Sequence, residues 1–184
     1  MFSDNERAEI ESVKAIVQKK LRELLSDLPA DTYPFFKECI LTGECFSPLF
    51  LDEEVHDWDV YLKDVVTAER FEFFVMSDTP TLNEVAEVTS EYRSITKVNG
   101  KLITANGITF KNGLQVVTQS CKKHRTTFDF VHTMPYFDMA TQQLFISRQQ
   151  YDSIKNKKLI KNPKFPQFNK SREDQFLQRG WSVA

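Results

Sequence analysis

Apolar residues recur at three- and four-residue intervals through residues 5–28, at Ile10, Val13, Ile16, Val17, Leu21, Leu24 and Leu28. That period predicts an amphipathic helix laid over a sheet. Ser3 or Asp4 would cap it, and Pro29-Ala30-Asp31 would end it. Residues 35–42 (FFKECILT) run into Gly43 and are expected to begin helical and finish as a strand. Ser47-Pro48 is a helix-start signal, with Ser as N-cap and Pro at the first helical position, for a short helix through about Leu51. Residues 56–62 alternate as a strand, and 66–75 fit a helix or a strand, the helix being the preferred reading. From residue 92 the signal turns to β, with runs at 92–98, 101–105, 108–110 and 114–119. Asn99-Gly100, Asn106-Gly107 and Asn112-Gly113 separate them. Asn-Gly between β-rich runs is a hairpin cue, so this succession predicts an antiparallel meander. Residues 126–133 and 143–146 are expected strands, and 148–159 a helix. The tail, with Pro163 and Pro166, reads as loop until a last helical stretch at 174–179. Together these elements predict one α+β domain over residues 1–184, a mixed, largely antiparallel sheet flanked by helices.

Composition narrows the class without changing that picture. Sixteen Phe against five Gly, in a chain that is 41% hydrophobic, implies a packed interior. No apolar run approaches the length that spans a bilayer, and the start, MFSDNERAEIES, is too polar for a secretory signal. Cys39, Cys45 and Cys121 have no CxxC spacing, which argues against structural zinc and for free thiols in a reduced, cytoplasmic setting. Charge is segregated. Residues 155–179 carry eight Lys/Arg against two acids, leaving −8 on the rest of a chain of net charge −2. A basic C-terminal segment, about 155–184, is therefore either a polyanion contact or a solvated surface.

The candidate chemistry starts at Asp57 and Asp59. Residues i and i+2 of a strand point to one face, so these carboxylates would sit side by side, suited to a divalent cation. Phosphoryl or nucleotidyl transfer by two metals needs such clustered carboxylates to hold Mg²⁺ or Mn²⁺. The third acid expected from a neighbouring strand is Asp129, in Phe128-Asp129-Phe130-Val131, where a charge is costly unless paired or metal-bound. The alternatives are a strand-edge position or a pair with Arg125. Gly43 would let the backbone approach a triphosphate, and the helix start at Ser47 would attract anions, although capping alone would explain Ser47.

In this order the residues resemble the DNA polymerase β-like nucleotidyltransferase superfamily, and most closely its small phage and viral members. The likeness rests on GECFSPLF, HDWDVYL, ANGITFKNGLQVV, TFDFVHTMPYFD, LFISRQQ and SREDQFLQRGW. It implies a nucleotidyltransferase-like fold, with Asp57, Asp59 and Asp129 as metal ligands and Gly43 and Ser47 contacting the nucleoside triphosphate. It also implies transfer of a nucleoside monophosphate to an acceptor hydroxyl, an RNA or tRNA-like end first and a protein hydroxyl second. Asp129 would also help receive the acceptor's proton. One position departs from the pattern. Glu44 stands where the family has Gly or Ser, and a carboxylate beside a triphosphate repels it unless it points away or binds metal. The rival reading is an inactive protein on the same fold, a phage-encoded modulator that binds nucleic acid or a host protein. If phage-encoded, either would work in the host-cell cytoplasm. A metal-dependent nuclease would leave the Gly and Ser-Pro signals without a role.

Several basic residues complete the set. Lys122, Lys123 and Arg125 would neutralise nucleotide phosphate, or form an exposed turn. Lys157, Lys158, Lys161, Arg172 and Arg179 are candidate contacts to a nucleic-acid acceptor. The interleaved Phe165, Phe168, Phe176 and Trp181 would stack on single-stranded bases or pin the tail to the core. His132 is expected to be a packed histidine with its ring nitrogens hydrogen-bonded, and His56 is set aside as a metal ligand.

Overall fold

The computed structural model of the chain describes residues 1–76, 95–98, 101–104, 107–110, 112–165, 167 and 169–184, leaving aside the side chains of 76, 95–98 and 101–104. Helix α1 (Asp4–Ser26) opens on a capping box: the Ser3 hydroxyl accepts from the Glu6 N–H and the Glu6 carboxylate accepts from the Ser3 N–H. Val13, Val17, Leu21 and Leu24 form its buried stripe, while Ile16 faces solvent. A short helix α2 (Tyr33–Phe36) leads into strand β1 (Ile40–Thr42), as the mixed signal there predicts. Helix α3 (Phe46–Leu51), strand β2 (Trp58–Tyr61) and helix α4 (Val65–Met76) follow.

The meander is present as strands β3 (Ile95–Val98), β4 (Lys101–Thr104), β5 (Gly107–Thr109) and β6 (Leu114–Val117), each antiparallel to the next. The last turn is held by its sequence. Gly113 takes φ +88°, and the Asn112 side chain accepts from the Leu114 N–H. Residues 92–94, 99, 100, 105 and 106, where other parts of the meander were expected, lie outside the described residues. Strands β7 (Tyr136–Asp138) and β8 (Gln143–Phe145) complete an eight-stranded sheet in the order β3-β4-β5-β6-β2-β1-β7-β8. Its neighbours are antiparallel except β2 and β6, which run parallel. The chain is thus α+β, with a mixed and largely antiparallel sheet.

The two faces of the sheet differ. Leu41, Trp58, Val60, Leu114, Val116 and Phe137 pack with the apolar stripes of α1, α3 and α4 in the main core. Asp59, Tyr61 and Gln115 alternate to the opposite face, and the parallel register sets Asp59 beside Gln115. A second apolar cluster, of Phe130, Leu159, Phe176 and Trp181, fastens the C-terminal elements. Helix α5 (Arg148–Lys155) buries Tyr151 and Ile154 in the main core, and the elements held by the second cluster are helix α6 (Lys170–Gln178) and the parallel pair β9 (Lys158–Leu159) and β10 (Ser182–Val183). Among the described residues no helix is long and apolar enough to cross a membrane.

Four local expectations are corrected. Residues 126–133 are not a strand: 3₁₀ turns occupy His124–Thr127 and Val131–Thr133, with one bridge from Phe130 to Lys161. The hydroxyls of Thr126, Thr127 and Thr133 donate back to the carbonyls of Lys123, His124 and Phe130, so side chains compete with a ladder here. Ser47 is not an N-cap, because α3 begins one residue before it and Cys45 stands at the cap. Pro48 is tolerated there because a first-turn N–H has no helical partner to lose. Helix α5 stops at Lys155, and Lys157, at φ +47°, turns the chain into β9. Helix α6 starts at Lys170, earlier than expected, because Asn169 caps it by accepting from the Arg172 N–H.

Candidate active site

Gly43 ends β1 with φ +100°, and a Cβ built on it would lie 3.1 Å from Asp59 Oδ2. Both the backbone conformation and the space therefore call for glycine. Its N–H donates to the Thr133 carbonyl, which ties this turn to the segment carrying Asp129. Asp59 points to the open face of β2, while exposed Asp57 stands just before the strand. Asp129 lies on the extended stretch between the two 3₁₀ turns, and its Oδ1 accepts from the Phe130 N–H at 2.9 Å. Gly43, Asp57, Asp59 and Asp129 all line one cavity of about 770 Å³.

The electrostatics of the three aspartates differ. Burial pushes the Asp59 carboxyl up to about 7, with the charges of Asp57 and Glu44 adding to the effect and Arg172 opposing it. Its Oδ1 is buried and has no hydrogen-bond partner. Burial also raises Asp129 above the ordinary carboxylate range, against the pull of Arg172. Asp129 Oδ2 lies 2.8 Å from Arg172 Nε. The departing residue, Glu44, points into the same cavity and is paired twice, with Arg172 Nη2 at 2.9 Å and Arg179 Nη1 at 3.2 Å.

Among the described residues no group of three or more Asp, Glu, His or Cys side chains is arranged to hold a metal ion. The fit to a divalent cation is nevertheless specific in part. Asp59 offers an unsatisfied buried oxygen with Asp57 near it, which is what a cation would relieve. The third carboxylate, Asp129, already has a cation beside it in Arg172.

The other residues singled out above are spread more widely. Ser47 is buried, its Oγ lacks a partner, and it lines an adjoining pocket of about 480 Å³ instead of the main cavity. Arg125 stacks its guanidinium 3.7 Å from the centre of the Tyr136 ring. Lys122, Lys123 and Arg125 are not among the residues lining the cavity. Lys157 pairs with Glu53, Lys161 lies 3.6 Å from Glu173, and Lys158 is exposed on β9. Arg172, on α6, and Arg179, at its C-terminal cap, do enter the cavity. Phe176 and Trp181 are buried and pin the tail, Phe165 lines the cavity, and Phe168 lies outside the described residues. His132 is packed as expected, fully buried among Phe130, Phe176 and Trp181, but it is not satisfied: the aromatic rings around it offer no acceptor, and neither ring nitrogen has a hydrogen-bond partner. Sequence reasoning missed Tyr61 and Gln115 as cavity residues. The alternation that pairs Asp57 with Asp59 extends to Tyr61, whereas Gln115 depends on the parallel register of β2 and β6.

Comparison with known proteins sets this site in a family. The model of the Gabija anti-defense 2 family protein matches residues 15–157, most of the chain. The chain belongs to the Gabija anti-defense 2 family. No curated protein matches this family member. Among solved structures it is similar to the Thermotoga maritima CCA-adding enzyme complexed with tRNA, at 13% identity and a TM-score of 0.48, over 91% of this chain and 42% of the enzyme. A CCA-adding enzyme in complex with CTP gives 14% identity and a TM-score of 0.48 over the same shares of the two chains. A tRNA-processing enzyme with CTP gives 14% and 0.47, over 80% of this chain and 40% of that one. This Gabija anti-defense 2 member thus spans less than half the length of the solved chains it matches.

Proposed function

We propose that this Gabija anti-defense 2 protein is a metal-dependent nucleotidyltransferase, and that it counters Gabija defence by moving a nucleoside monophosphate from a nucleoside triphosphate to an acceptor hydroxyl, the new bond to the α-phosphorus replacing the one to pyrophosphate, which leaves. The observation that carries the reading is that Gly43, Asp57, Asp59 and Asp129, distant in sequence, line the same cavity. Asp57 and Asp59 would hold Mg²⁺ or Mn²⁺, joined by Asp129 once Arg172 releases it. The ions would activate the acceptor hydroxyl and neutralise charge at phosphorus. Gly43 would admit the triphosphate close to the backbone, and Asp129 would receive the acceptor's proton. Lys157, Lys158 and Lys161 would meet an RNA acceptor, whereas Lys122, Lys123 and Arg125, which lie outside the cavity lining, are left without a nucleotide role. A protein hydroxyl is the second acceptor class. A phage-encoded protein of this kind would work in the host-cell cytoplasm.

A second reading is favoured by one specific contact. Arg172 joins Asp129 to Glu44, so a cation of the protein's own already pairs with one of the three expected metal ligands. On that reading the chain is inactive and counters Gabija by binding nucleic acid or a host protein. Incubation with Mn²⁺, labelled nucleoside triphosphates and total RNA or host lysate separates the two. Transfer by the native chain, lost in Asp57→Ala and in Asp59→Ala variants that still fold, supports the enzyme. Absence of both transfer and Mn²⁺ binding leaves the binding protein.

A further inference from the structure

Arg172 of α6 and Arg179 at its C-terminal cap enter the cavity, and a carboxylate of the chain itself holds both. Glu44 Oε2 accepts a hydrogen bond from Arg179 Nη1 at 3.2 Å, and Oε1 lies 2.9 Å from Arg172 Nη2. Arg172 Nε is 2.8 Å from Asp129 Oδ2, yet that N–H is shielded from water and meets no acceptor at a hydrogen-bonding angle. The Arg172 fork is therefore incompletely used. Both guanidiniums also lie near the Phe176 ring, at 5.8 Å for Arg172 and 5.4 Å for Arg179, and Phe176 is buried in the second core cluster. Their position thus does not depend on Glu44 alone. Two guanidinium forks converging on the oxygens of one anion match the geometry of a phosphoryl group as well as that of a carboxylate.

We propose that Arg172 and Arg179 form a phosphoryl-anion subsite, and that Glu44 is its resident competitor. The Glu44 carboxylate carries one negative charge where a polyphosphate carries several, so a polyphosphate gains more from the same donors. The Glu44 side chain is 41% exposed, so it can leave for water without crossing the interior. Arg172, released from Glu44 and Asp129, then turns its donors to the incoming anion. On this account the acid at position 44 sets a threshold: weak or singly charged anions fail to displace it, and polyphosphates succeed. The inference rests on the proposed function only for the triphosphate as natural ligand, since the subsite is testable without turnover.

The experiment is calorimetric titration of the full chain with inorganic tripolyphosphate in the absence of divalent metal. Glu44→Ser should bind it at least about tenfold more tightly than the native chain, the worth of one charged hydrogen bond. Glu54→Gln removes an exposed acid of the adjoining pocket and should leave the affinity within about twofold, inside the range that surface charges contribute. Adding Arg172→Ala and Arg179→Ala to Glu44→Ser should abolish the gain. No gain in Glu44→Ser, an equal gain in Glu54→Gln, or a gain that survives loss of both arginines overturns the proposal. Label transfer by the native chain without a gain in Glu44→Ser sinks this inference and leaves the enzymatic reading standing. A gain without any transfer does the reverse.

Discussion

His132 has both ring nitrogens buried and without hydrogen-bond partners, packed against Phe130, Phe176 and Trp181. Burial holds its imidazole neutral and moves it from the ordinary 6.5 down to about 3, with Arg172 adding to the effect. The unfolded chain takes up a proton below about 6.5 that the folded chain refuses until about 3. Stability from the neutral ring is therefore complete above 6.5 and is lost as the pH falls through that window, at up to about 1.4 kcal/mol per pH unit. Replacing the ring with His132→Phe removes the titration and keeps a planar aromatic in the stack. Denaturant midpoints measured from pH 7 to pH 4 should fall less steeply in that variant than in the native protein. Parallel curves would show that other groups carry the acid sensitivity.

The C-terminal elements hold together through very few side chains. Helix α6 buries only Phe176, strands β9 and β10 are two residues each, and Trp181 sits at the turn between α6 and β10. Phe176→Ala should remove about 3–5 kcal/mol from this unit, as for other buried aromatics cut to alanine. Hydrogen exchange would detect the loss as faster exchange over residues 170–183, with α1 and α4 unchanged. Equal loss across the whole chain would mean that the second cluster and the main core unfold as one. The same elements show where sequence reading stopped. Helix α1 follows from local period and strands β3 to β6 from β-rich runs parted by Asn-Gly, so they were legible, whereas α4 was legible only as a helix or a strand. Strands β7, β9 and β10 have two or three residues each; β9 and β10 pair with each other across more than twenty residues, and β7 pairs with remote β1 as well as with its neighbour β8. Asp129 was legible as an acid too costly to bury idle, although the segment around it is turn and not strand. The role of Glu44 was not legible, because its partners Arg172 and Arg179 arrive from the far end of the chain.

Across the whole molecule the two unequal charge blocks face each other. Lys155 pairs with Glu9, Lys157 with Glu53, Arg172 with Glu44 and Asp129, and Arg179 with Glu44. Lys161 is engaged more loosely, 3.6 Å from Glu173. Much of the excess positive charge of residues 155–179 thus answers acids of the same chain, and among the described residues Lys158, Lys164 and Lys170 have no ion pair. Nucleic-acid affinity gained by counterion release scales with the number of phosphates neutralised, at about 0.7 per contact for single strands. With three free lysines the slope of log affinity against log salt for single-stranded RNA should be about −2, whereas eight free cations would give between −5 and −6. Fluorescence anisotropy of a labelled RNA between low and moderate salt measures that slope directly. A value near the steeper limit would mean that the internal pairs open on contact with RNA, giving up Glu9, Glu53 and Glu44 for phosphate. A value near −2 would leave the internal pairs closed, so that specificity must come from the cavity and not from the basic segment.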